Sequence, residues 1–163
     1  MLGKTYDSEV CSMARALEVV GERWSLLILR DALFAGSTRF GDFQRTLGIA
    51  TNVLAARLEG FVGAGIMERR PSAGHPGTPQ YVVTAKGRDL VPVIVALTQW
   101  GDRWSAPDGP PIEYRHTACG EAVTSGLSCT GCGVVEDPAE VLAQPGPGMP
   151  ADVLARKRSL RRL

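Results

Sequence analysis

The chain has 163 residues, 44% of them hydrophobic, enough for one domain with a real core plus an appendage. Lys and Arg total 18 against 17 Asp and Glu, a formal net charge of +1. That balance excludes a non-specific basic coat for nucleic acid and suits a reader that uses a few placed contacts and two subunits.

The charge is unevenly spread. Residues 1–104 carry 12 basic and 10 acidic side chains, and residues 105–155 carry Arg115 alone against seven acidic ones. The last eight residues add five positive charges. Lys4, Asp7, Glu9 and Arg15 interrupt the first twenty residues, so no signal-peptide core is present there. The apolar runs at 26–29 and 90–97 are too short to span a bilayer. The expectation is a cytoplasmic protein with no membrane association, whose four cysteines are ligands or reactive thiols rather than disulfides.

Met13, Ala16, Leu17 and Val20 recur at helical spacing, and Gly21 stops that helix. A second helix, 25–34, is apolar nearly all round and reads as central. Phe40, Phe43 and Leu47 mark a short third helix, ended by Gly48. The fourth, 51–64, places Leu54, Leu58, Phe61 and Val62 on one side. Its other side collects Asn52, Ala56, Glu59, Gly60 and Gly63, with Arg57 at the flank. Two helices around a brief glycine turn, the second with a slim outer face, make a helix-turn-helix pattern. Strands are predicted at 66–70 and 80–83, with a Pro/Gly-rich loop at 71–79 between them. Thr84 is predicted to cap one helix running from Ala85 towards Trp104, kinked or weakened at Pro92 by about 3 kcal/mol. Leu90, Val93, Leu97, Trp100 and Trp104 form a stripe on it, with Val91, Ile94 and Val95 on the other flank. One small domain cannot cover both sides, which points to a partner subunit.

The predicted fold class is therefore α+β: a winged helix-turn-helix, a helical bundle plus a small β-wing, with a short Cys-rich ribbon-like extension. The expected boundaries are 1–104 for the DNA-binding and dimerisation domain and 105–111 for a linker. Residues 112–143 form the zinc-ribbon-like module, and 144–163 a second linker and a basic tail.

A helix enters the major groove of double-stranded DNA readily when its exposed face is small. Thr51 opens the fourth helix; Asn52 suits an adenine, Val53 or Ala56 a thymine methyl, and Arg57 a phosphate or guanine. Arg39, Arg69, Arg70 and His75, before the third helix and around the loop, are candidate backbone clamps. The competing readings are a protein–protein module on the same fold and, with less support, a small zinc or dithiol enzyme. Only two histidines, no Gly-rich phosphate loop and no Ser/His/Asp set are present.

His116 and Cys119, then Cys129 and Cys132, each form a ligand-x-x-Cys-Gly turn, the shape in which backbone N–H groups point at thiolate sulfur. Residues 121–128 are long enough for a small hairpin that would unite the halves around structural zinc, and four protein ligands leave no open catalytic position. The module has few large apolar residues, so metal would supply its folding energy. Two alternatives stand: turns that keep their shape without metal, or an exchangeable dithiol at Cys129 and Cys132. Cys11 begins the first helix, where the positive end of the dipole lowers a thiol pKa, and is a candidate redox sensor or a small dimer-contact residue. Trp100 and Trp104 suit a dimer seam, or the lining of a pocket for a small-molecule effector.

The motifs CSMARAL at 11–17, GERW at 21–24, LILRD at 27–31 and FGDF at 40–43 are followed by NVL at 52–54 and RL at 57–58. GIMERR at 65–70 and YVVTAKG at 81–87 complete the series. In this order they resemble the HxlR-type winged-helix transcriptional regulators over about residues 11–104. The resemblance implies a homodimeric repressor or activator, a recognition helix at 51–63, a wing at 71–79 and dimer contacts through the first and last helices. In some relatives a cysteine at the position of Cys11 senses oxidants or electrophiles, which implies an oxidant effector here. Ala50 and Thr51 stand where the family commonly has Ser-Pro. Either Thr51 takes over the cap, or the helix starts ~1 kcal/mol less stable.

Overall fold

A computed structural model of the chain describes Tyr6, residues 10–72, 77–153 and Ala155. It divides into two compact units, Met1–Ser125 and Gly126–Leu163. In the first unit the helices are α1 (Ser12–Val20), α2 (Ser25–Phe34), α3 (Phe40–Leu47) and α4 (Thr51–Gly63). The strands β1 (Met67–Pro71) and β2 (Pro79–Val83) follow, then α5 (Ala85–Arg88) and α6 (Val91–Ser105). Among the described residues no helix is long and apolar enough to cross a membrane.

The core sits where α2, α3, α4 and β1 meet. Ile28, Leu29, Phe43, Leu54, Leu58, Phe61 and Met67 are all fully enclosed there. Leu54, Leu58 and Phe61 repeat at helical spacing, so their burial turns one face of α4 inward and leaves the other to solvent. Gly48 ends α3 in the left-handed conformation (φ 61°), with its N–H donating to the Gln44 carbonyl at 3.0 Å. A residue with Cβ is strained there, so glycine sets the short turn that leads into α4.

β1 and β2 pair antiparallel, from Met67 opposite Val83 to Pro71 opposite Pro79. The far edge of β2 is tied down as well: Tyr81 N–H donates to the Thr38 carbonyl at 2.7 Å, and Arg39 bridges to Gln80. The wing therefore springs from the same segment that starts α3.

One local expectation is corrected and one alternative decided. The helix from Ala85 towards Trp104 is not continuous: α5 is one turn, capped by Thr84, whose hydroxyl accepts from Gly87 N–H. α6 then begins afresh with Pro92 in its first turn. A proline there lacks an N–H that would be unpaired anyway, so the chain is broken before it rather than kinked at it. At α4 the capping residue is Ala50, with no side-chain cap, and Thr51 is already helical. The cap is simply missing, a cost of about 1 kcal/mol.

Candidate nucleic-acid interface

The outward flank of α4 is exposed at Thr51, Asn52, Ala56, Glu59, Gly60 and Gly63. No side chain on it is longer than glutamate, which is what lets a helix approach groove walls closely. Val53 is half-buried and packs against the core, leaving only its edge for a thymine methyl. Arg57 lies on the flank towards the α1–α2 turn, 3.9 Å from the Glu22 carboxylate. An exposed pair of that length is worth at most about 1 kcal/mol, so phosphate competes for Arg57 easily.

The cations around the wing are held rather than loose. Arg70 pairs with Glu68 two residues earlier, its Nε 2.8 Å from the carboxylate. Arg69 pairs with Glu59 of α4 and lies over the Tyr81 ring at 5.8 Å, so the wing and α4 are joined by charge. Arg39 reaches Ser72 at the end of β1 at 3.4 Å. His75 lies outside the described residues. Arg69 thus lies on the strand face that meets Glu59 of α4, and Arg70, next along β1, on the opposite face with Glu68. One side chain there escaped the sequence reading: Gln44 of α3, whose Nε2 donates to Thr51 Oγ1 at 2.8 Å. Its signal was a polar residue one turn after Phe40, at the border of the apolar stripe.

The predicted dimer surfaces are open. Val93, Leu97, Trp100 and Trp104 are exposed on α6, the tryptophans by 62% and 65%, while Ile94 and Val95 turn into the core. Met13 and Leu17 are exposed on α1, and Cys11, the N-cap residue of that helix, is exposed too.

The Cys-rich segment begins inside the first unit. The Tyr114 ring packs on Phe34 of α2 with centroids 4.6 Å apart, and its hydroxyl stands 3.4 Å from the Thr98 hydroxyl. Gln99 of α6 accepts from Ser125 N–H and Oγ at 2.9 and 2.8 Å and donates to the Val123 carbonyl. Between these anchors, Arg115 bridges to Ala122 around a turn in which His116 Nδ1 lies 3.1 Å from Cys119 Sγ. In the second unit, β3 (Leu127–Cys129) and β4 (Gly133–Val135) form a hairpin whose tip is the Cys129–Cys132 turn. The predicted hairpin at 121–128 is absent, because the strands flank the turns instead of joining them. Gly131 N–H donates to Cys129 Sγ at 3.4 Å. That backbone donor first, then the backbone N–H and the thiol of Cys132, hold the Cys129 thiol below its ordinary pKa. Gly120 and Gly133 both have positive φ, as such turns need. The structure gathers the four candidate ligands pair by pair within each unit. Among the described residues no group of three or more His, Cys, Asp or Glu stands as a metal-binding set.

A family model described as HxlR-like helix-turn-helix matches residues 19–109. The chain belongs to the HxlR family. An HTH-type transcriptional regulator of Mycobacterium tuberculosis, Rv3095, is 48% identical over 141 residues, 86% of this chain and 89% of the relative. The crystal structure of PA1607, described as a transcription factor, is 37% identical with a TM-score of 0.78, covering 88% of this chain and all of that one. That coverage takes the likeness past the family match and into the Cys-rich segment. The redox regulator HypR in its reduced form is 26% identical with a TM-score of 0.51, covering 57% of this chain and 92% of that one. An HxlR-family chain is a DNA-binding transcriptional regulator and not an enzyme.

Proposed function

We propose that this HxlR-family chain is a cytoplasmic homodimer that binds a two-fold operator and represses by occupying it. The slim, exposed flank of α4 carries this reading. Two such helices enter successive major grooves about 34 Å apart, with the wings and Arg39, Arg57 and Arg70 on phosphate. The unpartnered apolar faces of α1 and α6 supply the seam. Leu97→Glu tests it. The residue is half exposed, so the fold should survive while the dimer dissociates and operator affinity falls by about tenfold or more. Sedimentation and a gel shift on DNA flanking the gene read both effects. A wild-type monomer that binds the operator fully would overturn the seam.

We also propose structural zinc on His116, Cys119, Cys129 and Cys132. The support is the ligand spacing, the two positive-φ turns, and an amide aimed at Cys129 sulfur, which favours a thiolate. Zinc would supply folding energy to a segment with almost no core, and all its positions would be taken by protein. The expected result is one zinc per chain. Its removal by chelator should abolish amide-exchange protection at 127–135 while residues 11–104 stay folded. Background metal content in a chain grown with zinc would end this reading.

The effector reading rests on Cys11. Its thiol is exposed beside the α1 face, and a redox regulator stands among the structural neighbours. Oxidation there would shift the spacing of the two α4 helices. If so, Cys11→Ser makes operator binding indifferent to hydroperoxide; equal sensitivity in both proteins refutes it.

A further inference from the structure

The geometry points to Gln44 as a specificity-determining residue that acts jointly with Thr51, the two side chains selecting adenine at one position of each half-site. This rests on the reading that α4 enters the major groove. Thr51 is the first residue of α4 and is exposed, yet its hydroxyl does not cap its own helix. Instead Oγ1 accepts from Gln44 Nε2 at 2.8 Å, across the turn from α3. One lone pair of Thr51 is thereby used, and its hydroxyl hydrogen remains to be donated. Among the described residues Gln44 Oε1 accepts no hydrogen bond, so an acceptor stands beside that donor.

One donor next to one acceptor is the complement of adenine in the major groove, which shows N7 as acceptor and N6–H as donor. Guanine shows two acceptors, N7 and O6, so with Thr51 donating to N7 the neighbouring Oε1 opposes O6, and guanine fits only where the second Nε2 proton faces O6 in its place. Cytosine offers only a donor, and thymine only O4 beside its methyl. With the Gln44 amide turned over, Oε1 takes the Thr51 proton and the Nε2 hydrogens stand as donors beside the Thr51 oxygen, so a donor still lies next to an acceptor. The pair thus presents what a single asparagine or glutamine amide presents, assembled from two helices. Holding both groups in place before DNA arrives also spares ordering entropy on binding.

The test is a binding profile of the full chain, with each position of the footprinted half-site substituted by every base. Wild type should prefer adenine at one position by about 5- to 100-fold. Gln44→Leu and Thr51→Val should each flatten the preference at that same position and no other, and Thr51→Ser should keep it. Thermal melting confirms that each variant folds. A Gln44→Leu profile identical to wild type, or one weakened equally on all sequences, overturns the proposal. In either case a profile altered by Asn52→Ala leaves the groove-entry reading standing. Profiles unchanged in Gln44→Leu, Thr51→Val and Asn52→Ala alike would sink that reading as well.

Discussion

Replacing Ala56 by glutamate should reduce operator binding on the order of 100-fold or more while leaving the fold as it is. Ala56 is exposed at the middle of the α4 flank, one turn after Asn52 and away from Leu54 and Leu58. Glutamate is a good helix former, so the helix itself loses only a few tenths of a kcal/mol. The added length meets the groove wall, and the added charge faces phosphate and the acceptor-rich base edges. Like charges brought together at an interface cost several kcal/mol, and a dimer repeats the fault in both half-sites. Gel shifts at a fixed, low salt concentration measure the loss, and circular dichroism checks the helix. Undiminished affinity would mean that this flank does not meet DNA.

Phe61→Ala should be the most damaging substitution for stability, at about 3–5 kcal/mol. Phe61 is 1% exposed and closes the same cluster as Leu54, Leu58 and Met67. Its carbonyl also accepts from Ile66 N–H at 2.9 Å, where the chain turns from α4 into the wing. The ring therefore supports the recognition helix and the wing together. Domains of this size hold only about 5–15 kcal/mol in reserve, so the melting temperature should fall by roughly 10 °C or more. A shift of under about 3 °C in a thermal melt would contradict the packing described.

α2, α3, α4 and both wing strands were legible because apolar residues at helical or alternating spacing sit between glycine and proline breaks. Gly48 and Gly65 mark ends that no propensity scale is needed to find. The rest depended on contacts far apart in sequence. Pro92 reads as an interruption of a long helix only while α5 and α6 are taken as one. The docking of Tyr114 on Phe34 was invisible because its segment is rich in proline and glycine and shows no period. Gln44 was missed for a related reason. Amphipathicity reports which side of α3 faces inward, and says nothing of a polar group that reaches across the turn to Thr51. At the Cys-rich segment the spacing marked two glycine turns, but strand propensity could not tell that strands would bracket the second.

The grip of Gln99 on Val123 and Ser125, with the Tyr114 ring seated on Phe34, bears on where this polypeptide can be cut. The family match ends at residue 109, inside the stretch that leads to these anchors. A fragment trimmed to that limit would bare an aromatic seat on α2 and strand an amide on α6. A piece that keeps these anchors must reach at least Ser125.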